Sequence, residues 1–219
     1  MHAYLVGKSG GGADAVFIGF ANSLGKETMT TLIIGIVIFL GVHTLTSFRE
    51  TRARLIEQLG FQRYELIYSL FALTGLGLII YGFHAYRAAG LIQVWEPPHW
   101  ARHLAMPLVW IAFVAIASRR APPSRIRGML RHPMLVAIKS WAAAHLLVNG
   151  DLGGMILFGS FLAWAVYDRI SVKRRGDTGA ERLSSFTRGD AIALGVGTGL
   201  YVAILFLHPW LFGVSVLQG

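Results

Sequence analysis

Eight histidines and no cysteine set the limits of the chemistry open to this chain. Without thiolates there is no disulfide framework, Cys-ligated zinc, iron–sulfur cluster, covalent c-type haem attachment or thiol nucleophile. Any metal must be held by imidazole, carboxylate or water. Ionisable groups inside long apolar runs are expensive and therefore functional candidates, which directs attention to His43, His84, His103, Lys139, His145 and His208. His84 lies among Tyr81, Phe83 and Tyr86, and His208 precedes Pro209 and Trp210, so both read as interfacial anchors.

His43 and His145 lie deeper. The helical neighbours of His43 are Phe39 and Leu40 on one side and Thr46 and Ser47 on the other. His145 follows Ala142, Ala143 and Ala144, with Trp141 one turn before and Asn149 one turn after. Small residues beside a membrane histidine suggest room for something flat and large. From the residues alone, either imidazole can be a ligand or a group that hydrogen-bonds across helices. His99 and His103 share a helical face, as a zinc or copper pair would, but only Glu96 and Asp151 stand near enough in sequence to complete a site. With Trp95 and Trp100 beside them, an outer aromatic belt is the simpler reading.

The elements that must position these groups follow from composition. The chain has 219 residues, 54% apolar and 14% charged, whereas soluble domains carry about a quarter charged residues. Uncharged runs extend over Thr30 to Phe48, Leu66 to Tyr86, His103 to Ser118, Leu152 to Tyr167 and Ala191 to Gly219. Helices of this length cross a bilayer core of about 30 Å. Six spans are expected: Met29 to Phe48, Leu66 to Tyr86, Trp100 to Ser118, Pro133 to Asn149, Leu152 to Tyr167 and Ala191 to about Leu217. The fold class is an all-α polytopic membrane bundle, with the fourth span the shortest and the only one holding a lysine, Lys139.

Of the 20 lysines and arginines, 16 fall around alternate connections, against Lys8, Lys26, Arg87 and Arg102 on the other side. This positive-inside pattern puts both termini of a multi-pass membrane protein outside the cytoplasm. It also accounts for the net charge of +9 without nucleic acid, since no basic stripe interleaved with aromatics is left over. Membrane lipid is the first expected partner.

Residues 1–28 read as a flexible N-terminal extension around Gly10, Gly11 and Gly12, with an apolar piece, Ala15 to Ala21, too short to span. Met29 stands directly before the first strong span, so the extension need not be native to the domain of residues 29–219. Gly7-Lys8-Ser9 does not make a phosphate loop, because the required earlier glycine falls on His2 and no strand precedes it. Gly195 and Gly199 form a small-xxx-small pair, expected at a helix contact.

Three groups of residues carry a resemblance. Gly41-Val42-His43-Thr44, the Arg131-His132-Pro133 turn, and Trp141-Ala142-Ala143-Ala144-His145-Leu146-Leu147 running into Asn149-Gly150-Asp151 are similar to the NnrU family. These bacterial membrane proteins are named from denitrification clusters and are related to 15-cis-zeta-carotene isomerase. The resemblance covers roughly Thr30 to Arg175. It implies a haem b held non-covalently in a helical bundle, with His43 and His145 matching the axial ligands and His132 the His-Pro histidine, structural or near a haem edge. In the isomerase branch, ferrous haem is thought to shed one of two axial histidines so that iron engages the polyene. The NnrU branch is associated with nitrite and nitric oxide reduction, without a defined reaction.

Lys139 can snorkel to the cytoplasmic surface, the favoured reading, or pair with a haem propionate, and Arg131 and Arg49 are further candidates for propionates. Counting residues puts His43 and His145 at depths about 11 Å apart, so a shared iron requires a tilted macrocycle or staggered helices. Three functions follow: a haem protein supporting denitrification, with reductase components as partners; a haem-dependent cis–trans isomerase of a polyene lipid; or a non-catalytic assembly partner of a membrane complex.

Overall fold

A computed structural model describes the backbone of residues 11–216 and the side chains of residues 27–216. Residues 1–10 and 217–219, which include part of the extension expected to be flexible, lie outside the described residues. Eight helices follow one another: α1 (Gly11–Leu45), α2 (Arg49–Leu59), α3 (Phe61–Ala89), α4 (Ala101–Arg120), α5 (Arg125–Leu130), α6 (Pro133–Val148), α7 (Leu152–Arg174) and α8 (Arg188–Phe212). Five have membrane-spanning length and composition: Glu27–Leu45 within α1, then α3, α4, α7 and α8. Helix α6 is the shorter sixth, 16 residues or about 24 Å. The fold is therefore the polytopic helical bundle the apolar runs require.

The outer surface is apolar, the reverse of a soluble domain. Leu73, Ile80, Phe206 and Trp210 are 65%, 63%, 65% and 88% exposed. Side chains of this kind belong in hydrocarbon. Much of what is buried is small: Ala105, Ala112, Ala115, Ala117, Ala137, Ala142, Ala144, Ala165 and Ala193 are all at or below 7% exposure. In lipid, where apolar burial supplies no drive between helices, close backbone approach and dispersion must do so.

The packing order runs α3, α1, α7, α6, α4, α8. Glycines make the α1–α3 hairpin possible, because a Cβ at Gly35 would stand 2.6 Å from Ile79 N, and one at Gly82 would stand 2.5 Å from Leu32 N. On α8 the expectation of a Gly195/Gly199 contact is corrected: neither has a neighbour within 4 Å, and the close approach is at Gly197, against Val114 of α4. The small residues lie one turn apart on α8, but the intervening glycine is the one rotated toward α4.

Two carboxylates hold helix ends. Asp190, fully buried, accepts from Thr187 N (2.8 Å) and Thr187 Oγ1 (3.0 Å) as the capping box of α8, and from Arg125 N (3.1 Å) and Ile126 N (2.7 Å) at the start of α5. One ionised side chain thus satisfies orphan donors of two helices. Asp151 caps α7 through Gly154 N (2.7 Å).

The α1–α3 interface yields a paired test. Gly82→Ala should lower stability in mild detergent by about 1–3 kcal/mol, because the methyl meets the backbone of α1 and must push the helices apart. Gly77→Ala on the same helix, with nothing within 4 Å, should leave the unfolding midpoint unchanged or raised.

Candidate functional site

His43 and His145 sit in the last turns of α1 and α6 and both are half-buried. Each ring is fixed the same way. His43 Nδ1 lies 2.7 Å from Phe39 O, and His145 Nδ1 lies 2.8 Å from Trp141 O, each the carbonyl one turn earlier. A carbonyl only accepts, so Nδ1 carries a proton in both residues, and in the neutral ring Nε2 then keeps its lone pair. That is the tautomer of a metal-ligating histidine whose orientation is set by a backbone acceptor.

Helix α7 relates the two. Phe158, Phe161 and Trp164 recur every three residues along it. His145 stacks on Phe158 with centroids 4.5 Å apart, and Trp141 meets Phe161 edge-on at 5.5 Å. Phe161 lies 5.7 Å from Phe39, which stacks on His43 at 4.2 Å, and His43 meets Trp164 edge-on at 6.1 Å. The histidines therefore sit six residues apart along α7, roughly 9 Å in height. This is close to the offset expected from counting residues. The ring contacts join them through Phe39, Phe161 and Trp141.

The alanines preceding His145 do not leave the room expected of them. Ala142 and Ala144 are 0% and 1% exposed, taken up by the helices packed on α6. The open sides of His145 are bounded instead by Trp141 and Phe158.

Around His43 the surroundings become polar toward the basic face. Tyr68 of α3 lies 5.7 Å from its ring, and Thr44 Oγ1 accepts from Trp164 Nε1 at 3.1 Å. Ser47 Oγ donates to Asp168 Oδ1 at 2.5 Å, and Arg175 Nη1 donates to Ser47 O at 3.0 Å. Tyr64, Tyr68, Asp168 and Arg175 were not singled out by the sequence, where they read as span-end residues. Only the packing of α3 and α7 on α1 gathers them.

The remaining candidates separate from this pair. His132 is the N-cap of α6, at the opposite end of that helix from His145. It lies beside Gly179, where a Cβ would stand 2.8 Å from its Nε2, an atom that is buried and has no hydrogen-bond partner. The preceding Arg131 has φ 61°, a left-handed conformation costly for a residue with a Cβ. Its carbonyl accepts from Ala180 N (2.9 Å), so the Arg-His-Pro turn clasps the connector between α7 and α8. Lys139 is half-buried and joins no ion pair among the described residues. Arg49 pairs with Asp177 at 3.4 Å, and Arg131 Nη1 donates to Thr178 O at 3.2 Å. His84, His99 and His103 are exposed, His208 Nδ1 lies 2.8 Å from Val214 O, and no cluster of three metal-binding side chains occurs among the described residues.

The Asn-Gly-Asp motif is a structural joint. The segment after α3 lies across it, with Val94 N and Trp95 N both donating to Gly150 O (2.8 and 3.1 Å) and Leu152 N donating to Ile92 O (2.8 Å). A Cβ on Gly150 would collide with Trp95 O, and one on Gly153 with the buried Tyr86 ring. Tyr86 Oη in turn accepts from Ile92 N at 3.0 Å. This cap closes the end of the bundle just past His145.

Asp151→Ala should cost about 0.5–2 kcal/mol by uncapping α7. Hydrogen exchange should report it as faster exchange at Gly154, with the amides of α8 unaffected.

In comparisons with known proteins, the family model described as NnrU protein matches residues 31–216. No curated protein and no solved structure matches the chain.

Proposed function

The chain belongs to the NnrU family, and from that premise we propose that this multi-pass membrane protein binds haem b through His43 and His145 and supports nitrite and nitric oxide respiration at the bacterial inner membrane. The observation that carries the haem reading is the shared tautomer, in which two histidines on different helices each spend Nδ1–H on their own backbone and present Nε2 as a free donor atom. Neutral imidazole is a haem ligand, and with no cysteine in the chain a thiolate is ruled out as the alternative. The aromatic wall of Phe39, Trp141, Phe158 and Phe161 suits the flat apolar faces of a porphyrin.

The residues fit the group in donor chemistry, and the rings between the two imidazoles, packed on one another, must part to admit it. Held there, a haem would supply a redox-active iron. The protein's own part is to orient both imidazoles, exclude water with the α7 rings and close the end beyond His145 with the Asn149–Asp151 joint. The same apolar wall favours a second reading, a haem-dependent isomerase, because a long polyene could lie along it.

Purified in mild detergent, the protein should show a Soret band and split α/β bands on reduction. His43→Ala and His145→Ala should each lower bound haem at least about tenfold, the loss that even removal of an outer-shell partner causes. A colourless, stable protein that haemin leaves spectrally unchanged would exclude the haem reading and leave the assembly role. Conversion of tri-cis zeta-carotene by cells expressing the protein would select the isomerase.

A further inference from the structure

On the basic face, where α5 meets the connector between α7 and α8, lies a cavity of about 180 Å³ lined by Pro123, Ser124, Arg127, Ala180, Glu181 and Leu183. Both walls are held in place. The start of α5 is tied to the first turn of α8 through Asp190, which accepts from Arg125 N and Ile126 N. The connector is tied to the Arg131 turn through Ala180 N, 2.9 Å from Arg131 O. The walls also touch each other, since a Cβ on Gly128 would collide with Glu181 O. Asp190 stands at the beginning of the α8 span, so the cavity beside it opens at the level of the lipid headgroups, a layer of roughly 5–7 Å on each side of the hydrocarbon core.

The polar groups of this cavity are opposite in kind and uncommitted. Arg127 and Glu181 line the same small space, yet they form no ion pair, and neither side chain has a hydrogen-bond partner among the described residues. Ser124, 2% exposed, accepts from Arg127 N at 3.1 Å, and its own hydroxyl proton has no acceptor among the described residues. A purely anionic guest would meet Glu181 and a purely cationic one would meet Arg127. Like-charge repulsion therefore selects a guest that carries both charges. Size narrows the class further: a cavity of about 150 Å³ takes benzene, whereas pockets for drug-sized ligands begin at about 300 Å³. The guest is a compact zwitterion, with Pro123, Ala180 and Leu183 against its apolar part.

We propose that this cavity binds a phosphoethanolamine group, its phosphate held by Arg127 and the Ser124 hydroxyl and its ammonium by Glu181, with an aminophospholipid headgroup as the guest. Guanidinium and hydroxyl donors suit a phosphate oxygen, and an ammonium N–H suits a carboxylate. The two common alternatives each lack one half of the match. Phosphocholine has the same charges but no N–H to give Glu181, and phosphoglycerol has the phosphate without a cation. The site is remote from the histidines in its residues and independent of the haem reading.

The test follows binding of short-chain phosphatidylethanolamine, phosphatidylcholine and phosphatidylglycerol to the full chain in neutral detergent by native mass spectrometry. Phosphatidylethanolamine should bind roughly fivefold or more tightly than either of the others, the size of one partly exposed charge-assisted contact. Arg127→Gln and Glu181→Gln should each bring that ratio toward one with helix content unchanged, because neither side chain bonds to the rest of the protein. Arg182→Gln, at an exposed arginine outside the cavity lining, should preserve it. Free phosphoethanolamine distinguishes the two sources of this chemistry: weaker binding than the lipid assigns the headgroup, and equal binding assigns a soluble guest to the same site. Equal binding of the three lipids overturns the proposal, as does a preference that both cavity variants keep. A preference for phosphatidylglycerol overturns it too, since the arginines would then act as a diffuse basic surface.

Discussion

Contact with α7 joins the two halves of the bundle. The hairpin of α1 and α3 lies on one side of it, and α6, with α4 and α8 beyond, lies on the other. The α1–α7 seam is narrower than the α6–α7 seam, and the rings of Phe161 and Trp164 fill it. Helices surrounded by hydrocarbon gain nothing from burying apolar surface against each other, so interlocking shape and dispersion must hold such a seam. That dependence has a functional side. The aromatic stripe that joins the two helical groups is also the surface on which both histidines rest.

Polar groups follow the complementary rule. With no water in the bilayer core, each helix end and each side-chain donor must find its partner within the protein. Asp190 meets that demand for two helices at once, and Asp151 for α7. His43 and His145 meet it with their own backbone carbonyls, which leaves one nitrogen of each ring uncommitted. Tyr64 Oη, Arg175 Nε and His132 Nε2 stand out against this background because burial without a partner is so rare. Tyr64 packs on Tyr68 and Arg175 is bonded to Ser47 beyond the end of α1, whereas His132 belongs to the turn at the opposite end of α6 from His145.

The three motifs that carry the family resemblance turn out to have different physical tasks. Gly41-Val42-His43-Thr44 brings a ring to α7, with Thr44 bonded to Trp164. Arg131-His132-Pro133 is a strained turn that clasps the connector before α8. Asn149-Gly150-Asp151 closes the bundle where the segment after α3 crosses it and leaves no space for a Cβ at Gly150. Two of the three therefore build the enclosure, and the imidazoles of His43 and His145 are what it holds.

The sequence by itself determined the six apolar helices, their alternation and the basic face, because span length, hydropathy and charge placement are local quantities that lipid reads directly. It also determined which histidines lie deep and roughly how far apart in height, since helical rise is fixed at about 1.5 Å per residue. Rotation about each helix axis was not legible. Gly195 and Gly199 look like a contact and Gly197 is one, and the alanines before His145 look like vacant space and are filled by neighbouring helices. Nor could the sequence bring Tyr68 of α3 and Trp164 of α7 against the same histidine. Only tertiary packing decides which faces meet, because in a helix uniformly apolar around its circumference no periodicity distinguishes the side turned to lipid from the side turned to protein.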